Sequence, residues 1–135
     1  VRTINKIVVH CSATREGQDV STDTIRGWHV NDRGWSDIGY HYVVELDGKL
    51  VVGRDIAKVG AHTKGHNADS IGICYVGGVE SDGTTPKDTR TDSQKLSLLN
   101  LITVLKSMYP NATVYGHRDF STKACPSFDA KKEYE

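Results

Sequence analysis

Hydrophobic positions change period several times along the chain, and each change marks a predicted element. Residues 4–10 read INKIVVH, a β-branched run that predicts a buried strand closing on a histidine. The polar stretch CSATREGQDVST that follows has loop composition. Ser21 and Thr22 are N-cap candidates for a short helix whose apolar face carries Ile25, Trp28 and His29, at i, i+3 and i+4, and which ends by Asn31 to Gly34. Strand-like runs over 40–46 and 49–53 flank Asp47-Gly48, so they predict an antiparallel hairpin. Residues 57–70 are polar, rich in glycine and histidine and without periodicity, which predicts a surface loop of the kind that carries function.

A further strand is predicted over 71–76, then a polar loop over 77–90. Thr91 and Gln94 fit a capping box, and Leu96, Leu99, Ile102, Leu105 and Met108 are read as the buried side of a long helix that Pro110 stops. The run 112–117 is a last strand, again closing on a histidine, and Pro126 is placed as the first residue of a short final helix. Strands and helices interleaved in this way predict an α/β fold, a mixed central sheet flanked by helices, in one domain over residues 1–135.

Charge excludes more than it assigns. Lys plus Arg and Asp plus Glu stand at 17 each, so no net field draws the chain to nucleic acid or an anionic membrane. No apolar run reaches the ~20 residues of a membrane span, and no basic-then-apolar signal peptide is visible. A monomer is expected. The three cysteines are an odd number, so at least one is a free thiol or a metal ligand. Cys11 and Cys74 fall in or beside strands and read as core thiols, with a disulfide between them left open, and His41 reads as structural.

His10 and His117 close two strands whose ends meet at one rim if the strands are neighbours. Cys125, eight positions past His117, can fold back beside it. Two imidazoles and a thiolate suit zinc, and three protein ligands leave a fourth position open for water, as hydrolytic zinc sites do. The spacing is not a local signature, and each residue alone also has an ordinary reading: a strand-end histidine, a loop cap, a small buried thiol. The same residue types would also serve a thiol hydrolase with Cys125 as nucleophile and His117 as base.

The stretches IVVHCSAT, GWSDIGYHYVV, GAHTKGHNADSIGICYVGG and VYGHRDFSTKACPSFD lie in order across nearly the whole chain. Together they resemble the zinc-dependent N-acetylmuramoyl-L-alanine amidases, the group that includes phage lysozyme amidases and peptidoglycan recognition proteins. The resemblance implies a zinc ion held by His10, His117 and Cys125. It further implies that Tyr40 and Lys123 act in catalysis without ligating metal, and that His62 lies by zinc and substrate. Lys123 is the feature closest to the phage enzymes. Trp35, His62, Thr63 and Asn67 are the candidates for substrate binding: an aromatic wall and hydrogen-bonding groups for a peptide stem or sugar. Trp35 is also readable as plain core, and Arg54 as either a stem contact or a solvated cation. The implied substrate is the amide between N-acetylmuramic acid and the first L-alanine of peptidoglycan, so the implied place of action is the cell wall. Arrival there would be by a leader outside this chain or by membrane damage. Some relatives with this fold bind muropeptides without cutting them; those typically lack the cysteine, which this chain keeps.

Overall fold

The computed structural model describes residues 2–135. Its centre is a five-stranded mixed sheet in the order β4-β3-β5-β1-β7: β1 (Lys6–Cys11), β3 (Tyr42–Val44), β4 (Leu50–Val52), β5 (Ser70–Tyr75) and β7 (Thr113–Gly116). β1 pairs in parallel with β5 on one side and β7 on the other, β5 is parallel to β3, and only the hairpin strand β4 runs antiparallel. The predicted hairpin and mixed sheet are both present. A second pairing is made by β2 (Thr14–Arg15) with β6 (Gly78–Val79), inside segments whose composition reads as loop.

The central strands are buried on both faces, and their alternation separates two environments. Ile7 and Val9 of β1, with Ile71, Ile73 and Tyr75 of β5, pack under helix α2 (Asp92–Met108) and helix α3 (Ala130–Glu133). Ile38, Val43 and Val76 pack with Val20 and Ile25, the latter from helix α1 (Thr22–Gly27), on a smaller cluster. His10 lies between Val9 and Cys11, so the period-two pleat turns it away from the α2 core.

Thr91 and Gln94 form the expected capping box on α2, but the buried positions are Gln94, Leu98, Leu101, Ile102 and Leu105. Leu96, Leu99 and Met108 are exposed. Repeated steps of three residues fall about 60° short of a turn each time, so the series from Leu96 to Met108 sweeps most of the way round the helix. The i, i+4, i+7 series from Gln94 stays on one side. Trp28 is likewise 39% exposed, against its core assignment, while His29 takes the inward position. The backbone enters a π-turn over Trp28–Asp32, which rotates the side chains beyond Gly27. Pro126 starts no helix: α3 is capped by Asp129, whose carboxylate accepts from Lys132 N at 3.2 Å.

Cys11 and Cys74 are buried free thiols, and Cys125 is free as well. His41 is structural as expected, its Nδ1 accepting from Gly72 N at 3.0 Å. Among the described residues no helix is long and apolar enough to cross a membrane.

Candidate active site

Parallel pairing of β1 with β7 carries both strand-end histidines to the same rim. His117 follows β7 as the first residue of a 3-10 turn, and its ring centroid lies 4.6 Å from that of His10. Asp119 accepts from Gly116 N at 2.9 Å and tightens that turn. The chain then folds back, with Arg118 N donating to Cys125 O at 2.7 Å. Cys11 N donates to Cys125 Sγ at 3.1 Å, which anchors the thiol against the end of β1. Beyond it, Tyr75 donates its hydroxyl to Pro126 O at 2.7 Å and Ser127 Oγ donates to Gly78 O at 2.8 Å. The cysteine loop is therefore pinned to the sheet at several points.

The result is a group of donor atoms from His10, His117 and Cys125 that all lie within 4.8 Å of one another. Around it opens a cleft of about 460 Å³, whose walls also include Tyr40, His62, Lys123, Trp35, Thr63 and Asn67. The three metal candidates, the two catalytic candidates and the four substrate-binding candidates thus border one cavity. Arg54 does not: its guanidinium is spent on the carbonyls of Asp37, Ile38 and Val59 at 2.7–3.1 Å.

Burial sets the protonation of the site. It holds His10 well below the ordinary histidine range, with the charges of His62, His117 and Lys123 adding to the effect. His117 is lowered by burial and then by Lys123, and His62 is lowered to about 3, again mainly by burial. Neutral imidazoles are the form that binds metal. Contact with the Cys11 thiol and burial push the Cys125 thiol up. Burial pushes the Tyr40 phenol up too, so it stays a proton donor; its ring centroid stands 5.1 Å from that of His10.

His10 Nε2 is 2.9 Å from His62 Nδ1 and 3.2 Å from Thr63 Oγ1. His62 Nε2 in turn meets Ser70 Oγ at 3.2 Å. A β-carbon on Gly72 would stand 2.6 Å from His62 Cγ, so glycine there is what allows the His62 ring to lie on the sheet. Trp35 stacks obliquely on His29 at 4.7 Å, and the Arg33 guanidinium covers its ring at 5.1 Å.

Residues 1–128 match the family described as N-acetylmuramoyl-L-alanine amidase. The chain belongs to that family. The amidase is 44% identical over 131 residues to an endolysin of Klebsiella phage KP32, covering 97% of this chain and 85% of that protein. It is 43% identical over 129 residues to the endolysin of Escherichia phage T7, covering 96% and 84%. Among solved structures it superposes on the N-acetylmuramoyl-L-alanine amidase LysC from Clostridium intestinale URNW with a TM-score of 0.80, at 31% identity, over 98% of this chain and 82% of that one. A peptidoglycan recognition protein chain from the LCa–LCx ectodomain complex bound to tracheal cytotoxin gives the same TM-score of 0.80, at 30% identity, covering 98% and 81%.

The amidase cleft also has walls with no functional signal in the sequence: Ser12, His29, Arg33 and Lys64. His29 belongs to the predicted apolar face of the short helix. The π-turn that aims it at the cleft has no signature in the hydrophobic pattern. Arg33 stands two residues before Trp35 and was legible only as polar loop.

Proposed function

We propose that this amidase is zinc-dependent: His10, His117 and Cys125 hold the ion, and it hydrolyses the amide joining N-acetylmuramic acid to L-alanine in peptidoglycan. The observation that carries the reading is the convergence of two imidazoles and one thiol, from chain positions more than a hundred residues apart, at the floor of one open cleft. The donor set fits the ion. Zinc bonds of about 2.0–2.3 Å put tetrahedral ligand atoms roughly 3.3–3.7 Å apart, within reach of small side-chain rotations from the separations observed. His10 Nδ1 has no hydrogen bond among the described residues while Nε2 is engaged, the arrangement of a ligand oriented from behind.

When bound, zinc supplies Lewis acidity and makes a nucleophile available from water at neutral pH, and it holds its cysteine ligand as thiolate. Lys123, on the exposed rim of the cleft, brings a fixed positive charge and donors to the carbonyl oxygen as negative charge develops there. Tyr40, protonated and oriented beside His10, donates a hydrogen bond to the attacked group or returns a proton to the leaving nitrogen. Trp35 offers an apolar wall to the stem peptide or sugar. His62, held neutral, borders the same space. The catalytic unit spans residues 1–135 and acts as a monomer on the cell wall, without nucleic acid or membrane as partner.

The test is digestion of purified peptidoglycan with mass spectrometry of the new termini. Free L-alanine amino ends with intact glycan strands are expected, and new reducing sugar ends in proportion to solubilised wall would refute the bond assignment. The native protein should carry about one zinc per chain, lost in His10→Ala, His117→Ala and Cys125→Ala. A metal-free protein that still digests wall would leave a thiol mechanism in its place.

A further inference from the structure

Asn67 borders the cleft, where an amide side chain looks like a substrate contact. Its oxygen is already committed. Asn67 Oδ1 accepts from His62 N at 2.9 Å and from Thr63 N at 2.9 Å, two successive backbone donors. A carbonyl oxygen has two lone pairs, so none is left for a ligand. The acceptor closes residues 62–67 into a tight loop, seconded by His66 N donating to Thr63 O at 3.0 Å. From the underside, Arg2 donates to the carbonyls of Asn67, Ala68 and Ser70 at 3.0–3.4 Å.

The two residues gripped in this way are the ones that meet the back of His10. Thr63, only 2% exposed, places Oγ1 at 3.2 Å from His10 Nε2 and 2.9 Å from His62 Nδ1. His62 Nδ1 is itself 2.9 Å from His10 Nε2. The order of contacts therefore runs from Asn67 through the backbone of His62 and Thr63 to the ring of His10. We propose that Asn67 is a positioning residue that orients His10 for metal binding, its Oδ1 fixing the loop that holds His10 Nε2 and not meeting substrate. This rests on the reading that His10 ligates zinc.

Partners that orient a metal-bound histidine typically contribute roughly 10–100-fold in metal affinity. The variants Asn67→Ala and Asn67→Asp separate the two roles, because aspartate keeps an acceptor at Oδ1 and removes the amide N–H groups that remain for a ligand. Zinc affinity of the purified full chain would be measured by competition with a chromogenic chelator. Amide hydrogen exchange at His62 and Thr63 would be followed in the metal-free protein, and KM for a soluble N-acetylmuramoyl-peptide at saturating zinc. In Asn67→Ala, zinc affinity should fall by roughly 10–100-fold, with both amides losing protection. In Asn67→Asp, affinity and protection should largely return. Unchanged zinc affinity with a raised KM in Asn67→Ala overturns the inference, as does an Asn67→Asp variant no better than alanine. Should alanine fail to fold, Asn67→Ser retains a shorter acceptor and is expected to lie between the two. A wild-type chain that takes up no zinc overturns the metal reading itself. That outcome differs from failure of the inference alone, in which wild type and Asn67→Ala bind zinc equally well.

Discussion

Replacing Arg90 by methionine removes one guanidinium and should loosen the whole C-terminal segment. Its five N–H groups all have acceptors: Asp88 Oδ1 and Oδ2 at 2.9 Å, Glu133 Oε1 and Oε2 at 2.8 and 2.7 Å, and Tyr134 Oη at 2.9 Å. The guanidinium also lies 3.5 Å from the ring centre of Phe128, three residues past Cys125. Its side chain is 2% exposed, whereas Asp88 and Glu133 keep 32% and 43% of their side-chain surface in water. Breaking a fully buried pair costs about 3–5 kcal/mol, most of it from the charge left behind. Here the orphaned carboxylates can rehydrate, so the cost falls at or just below that range, about 2–3 kcal/mol, with methionine keeping most of the stem volume. For a chain of this size the melting temperature should drop by about 10 °C.

The pH dependence adds a second check. Glu133 is held below its ordinary value by its hydrogen bonds and then the charge of Arg90; for Asp88, burial pulls upward but the same partner outweighs it. A depressed folded-state pKa stabilises above the unfolded value and is lost as pH falls through the folded one. Wild type should therefore exceed Arg90→Met by a constant margin near neutrality, and the margin should shrink below about pH 4. Urea unfolding at pH 7 and at pH 3.5 measures both quantities. A difference under about 1 kcal/mol at pH 7 would place the cluster among surface pairs of little consequence, and a margin that does not change with pH would refute the ionic account.

Gly72→Ala sets a methyl against the His62 ring, at 2.6 Å from Cγ before relaxation. It should destabilise by about 1–3 kcal/mol and weaken zinc binding, and unchanged unfolding and metal affinity would contradict the packing described. Tyr40→Phe and Lys123→Ala should retain zinc yet lose about 10²-fold or more in kcat; loss of the metal in either would show a structural role instead. His29 accepts from Gly39 N at 2.9 Å through Nδ1 and is depressed to about 4 by burial, then by Arg33 and Arg54. Its contribution to stability should be full above about pH 6.5 and decline as pH falls toward 4. An NMR titration of the ring with a midpoint near the ordinary value would reject that environment.

Local chemistry was readable wherever its cause is local. The capping box at Thr91 and Gln94, the Asp47-Gly48 hairpin and the β-branched runs of β1, β5 and β7 follow from backbone preferences within a few residues. The inward side of α2 differs from the predicted one because three-residue spacing drifts around a helix, and the core, not the period, selects the face. Trp28 leaves the predicted apolar face while His29 keeps its inward position, because the π-turn at Trp28–Asp32 follows no hydrophobic period.

At the site, the residue types in His10, His117 and Cys125 already limited the chemistry, since two imidazoles and a thiol make a zinc-compatible set wherever they meet. That they do meet was decided by the tertiary structure. Parallel pairing of β1 with β7 joins residues more than a hundred positions apart, and no short-range periodicity encodes which strands become neighbours. The supporting contacts were hidden for the same reason. Thr63 and Asn67 read as substrate contacts, and Gly72 as an ordinary strand residue, until folding presses them against His62 and His10. Arg90 reads as the end of a polar loop until it is enclosed by Asp88, Phe128 and Glu133. The sequence by itself determined which groups are available. The packing of distant segments decided which atom of each faces the cleft, which faces a partner, and which water no longer reaches, because burial and hydrogen-bond geometry exist only once the chain has closed on itself.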